Sequence, residues 1–299
     1  DLVYACCQAI FETHPARAIA RRIGAALGVK VHHVLHAQGG RSGFFDRLFL
    51  MSERWSTRLL NRHADVILCS TPPVAADFRR LEEDLGLTPR TTDIVGYGLD
   101  FSEVTFNAEA PKRFDAVLLG RMHRHKGVLD IPALWSAVCA RRPGSKLLVI
   151  GEGPDRAEVE RQCAAAGLGD SVVFTGGIAD LEKNHLMMQC RVGLSLSREE
   201  GWGLSVTECL GFGMPVVAMH LPIFDHVFPG QLDLVPMGDT ARAAERVLHW
   251  LSDDTARIAR GREGRAFAER YDYAPVARAE LDALEAGVAA HRHRLKEER

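Results

Sequence analysis

Short apolar runs alternate with longer amphipathic stretches along most of the chain, and glycine or proline turns separate them. Runs rich in Val, Ile and Leu predict strands, whereas the amphipathic stretches between them predict helices. We predict strands at residues 2–7, 31–36, 66–69, 92–95, 116–119, 146–150, 172–174, 192–196, 215–218 and 232–235. The clearest predicted helices are 16–27, 74–85, 155–166 and 204–212. This alternation is typical of α/β proteins in which helices cover both faces of parallel sheets.

A polar stretch without periodicity, residues 101–113, divides the predicted strands into two groups. Six strands follow it, enough for a complete doubly wound domain, but only four precede it. We therefore predict two Rossmann-like domains, an N-terminal one at 1–107 that is incomplete at its start and a C-terminal one at 108–273. The tail at 274–299 is rich in Ala, Leu, Glu and Arg and predicts a final helix. The chain opens with Asp1 rather than Met, which favours further sequence upstream.

Composition narrows the class of protein. Hydrophobic residues make up 46% and charged residues 25%, as in soluble globular proteins, which excludes a disordered or collagen-like chain. The net charge of −2 provides no field that would attract nucleic acid, so we expect no nucleic-acid partner. Seven cysteines without a CxxC pair indicate neither a disulfide framework nor a zinc site, and they favour the reducing cytoplasm. No apolar run reaches the ~18 residues of a membrane span.

The most informative segment is residues 191–219, which predicts a strand, a glycine-containing loop, a helix and a strand. In this loop Gly201 and Gly203 flank Trp202, and the helix begins near Leu204. Glycine permits a close approach of the backbone to a ligand, and the N–H groups at a helix start favour an anion. The loop is therefore a candidate site for a phosphate group.

Two glutamates lie around this loop. Glu200 precedes the first glycine, and Glu208 lies about one turn into the helix. An ionised carboxylate suits sugar hydroxyls better than phosphate, because it accepts hydrogen bonds from a vicinal diol. A ligand that carries both phosphate and hydroxyls is a nucleotide sugar. An ordinary βαβ crossover with an exposed Glu208 explains the spacing equally well.

A second segment, residues 116–130, ends a predicted strand at Gly120 and continues into a basic loop that contains Arg121 and Lys126. Open α/β sheets bind ligands at the carboxyl ends of their strands. Arginine can bind a diphosphate through a bidentate fork and lysine as a point charge. A solvated basic turn is the alternative. Glycines after the strands at 146–150 and 172–174 also suit close backbone approach, although GxG alone is a weak signal.

Residues 116–275 resemble the donor-binding domain of retaining glycosyltransferases of the GT-B fold, in particular family 4 (glycosyl transferases group 1). The segments that carry the resemblance are GRMHRHKG, LLVIGEGPDRAEVE, VVFTGGI and SREEGWGLSVTECLGFGMPVV. The last one matches the family's E-x7-E signature, with Glu200 and Glu208 as its two glutamates. The first domain is similar to the family less closely: VHHVLHAQGG places His36 where the family has a histidine near the donor sugar.

The resemblance implies a role for each of these residues. Arg121 and Lys126 would stabilise the charge on the leaving diphosphate, so neither a metal nor another cofactor is expected. Glu208 would accept hydrogen bonds from the ribose, and Glu200 would hold the donor sugar. His36 would contact the sugar or the acceptor. The remaining donor-binding positions are Gly120, Gly201, Trp202, Gly203 and Leu204, with Trp202 expected to pack rather than to stack on a base.

The implied reaction moves a sugar from a nucleotide-diphosphate sugar to an acceptor hydroxyl, with retention at the anomeric carbon. The acceptor would be a glycan, a lipid-linked molecule or a small molecule. Peripheral contact with the inner face of a membrane is compatible with the resemblance. Even so, Arg17, Arg21 and Arg22 are expected on a solvated face. The aromatic and apolar residues between 44 and 55 fit helix packing better than a membrane patch.

Three features depart from the family. Its opening strand and glycine loop have no counterpart here, residues 219–228 replace a more glycine-rich loop, and Tyr97 stands where the family has Asn. A non-catalytic nucleotide-sugar-binding or scaffold protein of the same fold is therefore the main rival hypothesis. A related fold used for epimerisation or phosphorolysis ranks below it.

Overall fold

The computed structural model describes residues 1–35 and 44–297 of the chain. The chain divides into two compact units. Unit 1 comprises residues 1–98 and 273–299, and unit 2 comprises residues 99–272. Each unit has its own parallel sheet, which confirms the α/β fold class with two Rossmann-like sheets.

Unit 1 alternates strands and helices from its first residues. Its elements are β1 (Leu2–Ala5), α1 (Ile10–Ile23), β2 (Ala26–Val31), α2 (Phe44–His63), β3 (Val66–Cys69), α3 (Pro72–Asp84) and β4 (Asp93–Ile94). Over its described residues the sheet has four parallel strands in the order β1-β2-β3-β4. This is the smaller of the two sheets, as the strand count from the sequence predicts.

The second strand lies earlier in the chain than predicted. The prediction of a helix to residue 27 and a strand at 31–36 is wrong, because α1 ends at Ile23 and β2 is Ala26–Val31. Gly24 adopts φ +67°, a left-handed conformation that commonly ends helices. Every residue of β2 is buried, including Lys30, so the strand lacks the polar–apolar alternation that marks half-buried strands.

Unit 2 is the larger doubly wound domain. Its elements are β5 (Phe114–Leu119), α4 (Ile131–Arg141), β6 (Leu147–Ile150), α5 (Arg156–Ala165), β7 (Val172–Gly176), α6 (Asp180–Met187), β8 (Cys190–Ser195), α7 (Leu204–Gly211), β9 (Val216–Met219), α8 (Pro222–Val227), β10 (Leu232–Val235), α9 (Thr240–Ser252) and α10 (Asp254–Ala268). In residues 99–272, all of them described, the sheet has six parallel strands in the order β10-β9-β8-β5-β6-β7. Apolar side chains from β5, β6, β8 and β9 form its core together with Trp135.

The segment before β5 belongs to unit 2, although the sequence analysis assigned residues 99–107 to the first domain. Val104 is buried, and its side chain lies with those of Leu99 and Phe101 against Gly211 at the end of α7. The ring of Phe106 occupies the space that a Cβ on Gly213 would need. These apolar residues are too widely spaced among polar ones to give a periodic signal in the sequence.

The last helix, α11 (Tyr273–Glu297), returns to unit 1. Leu284 lies against Gly28 of β2, and Gly287 lies against Val66 of β3. The carboxylate of Glu280 accepts hydrogen bonds from Lys30 at 2.5 Å and from the Tyr4 hydroxyl at 2.6 Å. The last helix therefore packs into the core of unit 1, against strands from the first part of the chain.

Candidate functional site

The strand order of unit 2 reverses between β5 and β8. From β5 the chain passes through β6 to β7 at one edge of the sheet, and β8 then pairs with the other side of β5. In open parallel sheets, ligands bind at the carboxyl ends of the strands at such a switch point. Residues 120–130, here named the β5 loop, and residues 196–203, the β8 loop, follow these two strand ends.

The two loops are in direct contact. The backbone N–H of Arg198 donates to the carbonyl oxygen of His125 at 2.8 Å, and the Arg198 guanidinium pairs with Asp130 at 2.9 Å. Gly127 adopts φ +67°, and a Cβ there would overlap the carbonyl oxygen of Leu196. Glycine at this position is therefore required both by the backbone conformation and by the closeness of the loops.

Lys126 and Glu200 form an ion pair across the switch point. The ammonium group of Lys126 lies 2.6 Å from Oε1 of Glu200, whose side chain is only 10% exposed. The buried hydroxyl of Ser197 donates to the same oxygen at 2.7 Å. Within the described part of the chain no group donates to Oε2 of Glu200. The carboxylate is thus held through one oxygen and presents the other.

Arg121 supplies a second cation in the β5 loop. Its side chain is exposed and makes neither a hydrogen bond nor an ion pair with any residue that the structure describes. Gly120, before it, leaves open space: a Cβ there would meet no atom within 4 Å. His123 and His125 lie in the same loop with ring centroids 4.3 Å apart. Burial, His123 and Lys126 lower the pKa of His125 to about 4, so its ring is neutral at pH 7.

The β8 loop ends at Gly203, where α7 begins. Gly203 has φ +108°, and its carbonyl oxygen accepts from the N–H groups of Val206 and Thr207. Phe224 and Phe228 lie 3.0 and 3.2 Å from the position of a Cβ on Gly203. Helix α8, which lies within the segment 219–228, thus packs against this turn.

Trp202 packs, as its sequence context predicts. Its residue is 7% exposed, and its indole N–H donates to Oγ1 of Thr207 at 3.2 Å. The ring meets Tyr271 edge-on at 4.9 Å between centroids. Leu204, the first residue of α7, is exposed, and Gly201 is partly exposed.

Glu208 lies in the second turn of α7 and is paired with a residue that the sequence motifs do not include. Lys183 of α6 donates to Oε1 of Glu208 at 2.5 Å and also pairs with Asp180 at 2.9 Å. Burial acts to lower the pKa of Lys183, but the hydrogen bonds to Glu208 and Asp180 outweigh it and the pKa is raised. Lys183 is therefore charged at pH 7.

The two glycines after β6 lie close to the backbone of the β5 loop rather than beside an open ligand site. A Cβ on Gly151 would overlap the carbonyl oxygen of Gly120, and one on Gly153 would overlap that of Met122. The backbone N–H of Met122 donates to the backbone carbonyl oxygen of Glu152 at 2.8 Å. These glycines support the β5 loop from the side, so the GxG there serves packing between loops.

The predicted residues of unit 2 thus gather around one end of its sheet, on the β5 loop, the β8 loop and α7. His36 lies outside the described residues. Sequence reasoning missed Ser197 and Lys183. Ser197 lies three positions before Glu200, within the motif, whereas Lys183 reaches Glu208 across 25 positions and leaves no local signal. In the described ranges, 1–35 and 44–297, no group of three or more His, Cys, Asp or Glu could hold a metal ion.

The fold is the two-sheet GT-B fold. Sucrose-phosphate synthase from Thermosynechococcus elongatus is similar with a TM-score of 0.78 and 21% identity, covering 97% of this chain and 74% of that one. Anabaena Alr3699/HepE in complex with UDP and glucose gives a TM-score of 0.76 and 18% identity, covering 95% and 77%. Residues 102–267, more than half of the chain, match the family described as Glycosyl transferases group 1, and the chain belongs to this family.

Among curated proteins, the chain is similar to the GDP-mannose:cellobiosyl-diphosphopolyprenol alpha-mannosyltransferase of Xanthomonas oryzae pv. oryzae. The two are 26% identical over 196 residues, which make up 62% of this chain and 50% of that protein. The chain spans about half the length of the curated relatives it matches.

Proposed function

We propose that this chain forms the donor-binding part of a glycosyltransferase that transfers a sugar from a nucleotide-diphosphate sugar to an acceptor hydroxyl, with retention and without a metal ion. The observation that carries the proposal is the pair of glutamates that follow β8, Glu200 and Glu208. Each is bound by a lysine through one carboxylate oxygen and leaves the other oxygen available. Membership of the family supports it. So do the name of the Xanthomonas relative, which includes a nucleotide-sugar donor, and the UDP bound to the Anabaena protein.

The diphosphate would bind between the β5 loop and the start of α7. Arg121 supplies a cation that no described residue neutralises, and Lys126 supplies another once the phosphate competes with Glu200 for it. The backbone N–H groups at the start of α7, near Gly203 and Leu204, would add hydrogen bonds. Two positive charges and a helix start would together stabilise a leaving diphosphate without a metal.

The two glutamates would bind hydroxyl groups. In Glu200 and Glu208 one oxygen is occupied by a protein donor, and the other accepts nothing from the described residues. Glu200 would use the free oxygen for the donor sugar and Glu208 for the ribose. His36, which lies outside the described residues, remains our candidate for contact with the sugar or the acceptor.

In the reaction the bond between the anomeric carbon and the diphosphate oxygen breaks, and the diphosphate leaves with the electron pair. The acceptor oxygen then bonds to the same face of that carbon, and its proton passes to the departing diphosphate oxygen. We assign no nucleophilic role to Glu200, because its proposed part is to accept hydrogen bonds from the hydroxyls of the donor sugar. Retention would accordingly proceed through a loose, ion-pair-like transition state.

Calorimetric titration with UDP, GDP and ADP, and then with their sugars, tests the donor site. Glu208→Ala should weaken the binding of the preferred nucleotide by about 1–3 kcal/mol, as expected for losing hydrogen bonds to a charged group. Glu245→Ala, which removes an exposed glutamate on α9, is the matched control and should have no effect. Affinity that is unchanged in Glu208→Ala would refute the ribose assignment.

The same titration in EDTA and in Mg²⁺ tests metal independence, and NMR of the product's anomeric configuration tests retention. Nucleotide-sugar binding without transfer or release of the diphosphate, with every candidate acceptor, would favour the non-catalytic rival. Absence of any nucleotide binding would refute the proposal as a whole.

We also propose that the protein works from the cytoplasm at the inner face of a membrane, by contact through α2. Leu48, Met51 and Trp55 are exposed along one side of this helix, with Trp55 64% exposed, so the expectation that Trp55 packs inside is wrong. Arginines lie beside this stripe at Arg47, Arg54 and Arg58. An apolar stripe between arginines is typical of helices that lie in the interface of an anionic membrane. No helix in the described residues is long and apolar enough to span a membrane.

Co-sedimentation with vesicles tests this contact. We expect binding to phosphatidylglycerol-containing vesicles and much weaker binding to pure phosphatidylcholine, because the arginines favour anionic lipid. Leu48→Gln and Trp55→Gln should each reduce binding. Leu181→Gln removes an exposed leucine on α6 and should not. Equal losses in all three variants would contradict the assignment to α2.

A further inference from the structure

Lys183 of α6 forms ion pairs with two carboxylates, one on its own helix and one on α7. It lies one turn after Asp180 on α6, and this exposed aspartate would suffice as a surface partner. Its ammonium group nevertheless also reaches across to α7 and meets Oε1 of Glu208 at 2.5 Å. The side chain of Asp180 is 79% exposed, whereas that of Glu208 is 14% exposed. The stronger constraint therefore acts on the more buried carboxylate.

This contact limits what Glu208 can do. A carboxylate fixed through one oxygen has a defined plane, and its other oxygen then points in one direction only. Oε2 of Glu208 receives no hydrogen bond from the described residues, so it is available to a ligand. Without Lys183, no described residue would hold this carboxylate in one orientation, and ordering it on binding would cost conformational entropy.

The charge of Lys183 has a second consequence. A lone carboxylate close to a diphosphate would repel it, because like charges interact over several ångströms at the low effective dielectric of a protein surface. Lys183 offsets the negative charge of Glu208 where the two meet. A glutamate can then serve hydroxyl groups close to a phosphate-binding loop.

We propose that Lys183 is a positioning residue that orients Glu208 toward the ribose diol of a nucleoside diphosphate and so sets the preference for ribonucleotides over 2′-deoxyribonucleotides. This inference rests on the proposed function, since it assumes that the nucleotide binds beside α7. Lys183 itself does not contact the reacting atoms.

The experiment compares the preferred nucleoside diphosphate among UDP, GDP and ADP with its 2′-deoxy form by calorimetry. The unmodified chain should bind the ribonucleotide at least tenfold more tightly. Lys183→Met should reduce this preference to threefold or less, and Lys183→Arg should retain most of it because arginine can still donate to Oε1. Asp180→Asn, which removes only the exposed partner, is the matched control and should keep the full preference.

Each outcome is decisive. If the unmodified chain binds neither nucleotide or does not discriminate between them, the proposed function of this site fails. If it discriminates and Lys183→Met discriminates equally well, the role of Lys183 fails while the proposed function stands. A folded Lys183→Met that binds neither form would also overturn the positioning role, since the charge of Lys183, and not the direction of Glu208, would then decide binding. Thermal unfolding monitors folding, and Lys183→Gln replaces Lys183→Met if the latter unfolds early.

Discussion

Lys126 and Glu200 form an ion pair, so a ligand that binds either side chain has to compete with the other one. The pair lies largely out of solvent, so removing one partner leaves the other charge poorly solvated. A diphosphate that takes over Lys126 would release Glu200 to bind sugar hydroxyls with its full charge. Donor binding would therefore replace one ion pair with a stronger set of contacts to the ligand.

Lys126→Ala should lower turnover by about 10²–10³-fold, because it removes a fixed charge from the leaving diphosphate. It should lower the free energy of unfolding by only ~1–3 kcal/mol, for the partner left unpaired. Release of nucleoside diphosphate measures turnover, and chemical denaturation measures stability.

Arg124→Met, which removes an exposed cation two positions earlier, is the control and should leave turnover nearly unchanged. The double variant Lys126→Ala/Glu200→Gln should regain stability and not activity; recovery of both would remove Lys126 from the mechanism.

His125 makes stability depend on pH in a defined window. Its pKa is lowered from 6.5 to about 4 by burial, His123 and Lys126, so the folded protein keeps this ring neutral where the unfolded chain protonates it. The unfolded state then binds more protons, and its contribution to stability is lost as pH falls from about 6.5 toward 4. We expect the unfolding free energy to fall less between pH 7 and pH 5 in His125→Gln than in the unmodified protein. Parallel curves for the two proteins would contradict this.

At the same scale, the sequence indicates which residues could carry the chemistry of the site, but not how they pair. The spacing of Glu200 and Glu208 and the basic loop with Lys126 are local patterns, and the structure brings them to one end of one sheet. The pairing of Lys126 with Glu200 is a contact across 74 positions, and that of Lys183 with Glu208 spans 25. Such pairs depend on the order of strands in the sheet. The spacing of residues within a motif carries no information about that order.

Among the elements, the β5 and β8 loops are held together by contacts between their backbones, including the hydrogen bond from the Arg198 N–H to the His125 carbonyl oxygen.

Gly127→Ala should disrupt these contacts, since alanine disfavours φ +67° and its Cβ would overlap the Leu196 carbonyl. Gly144 is the matched control: its φ is +82° and a Cβ there meets nothing within 4 Å. Gly144→Ala should cost about 1–2 kcal/mol for the left-handed backbone. Gly127→Ala should cost a further ~1–3 kcal/mol for the overlap and should weaken donor binding. Equal unfolding free energies in the two variants would contradict close contact between the loops.

The elements of unit 2 follow from the sequence more readily than those of unit 1. In unit 2 each predicted strand overlaps an observed one, because Gly and Pro turns bound short apolar runs there. In unit 1, β2 contains the buried Lys30 and directly follows a helix, so the sequence pattern predicts that this helix continues into it. Gly24 was the available signal for the helix end.

At the scale of the whole molecule, each unit has an apolar core of its own. The core of unit 2 draws on residues between Ala116 and Leu251, and the cores of unit 1 draw on residues between Ala5 and Val95 together with Leu284. The final helix, α11, thus belongs energetically to the unit that contains the start of the chain. A substitution on the buried face of α11 should therefore lower the stability of unit 1 and leave that of unit 2 unchanged.

Leu284→Ala tests this separation. Leu284 is 9% exposed and forms a core cluster with Val66, Leu68 and Val95. Its truncation should destabilise unit 1 by about 2–5 kcal/mol, the range for a buried leucine. Amide hydrogen exchange should then speed up in β2 and β3 but not in β8 or β9, since local stability follows the core to which a strand belongs. Leu281→Ala, on the same helix at 45% exposure, should change exchange in neither sheet. Faster exchange in β8 and β9 of Leu284→Ala would mean that the two cores unfold as one cooperative unit.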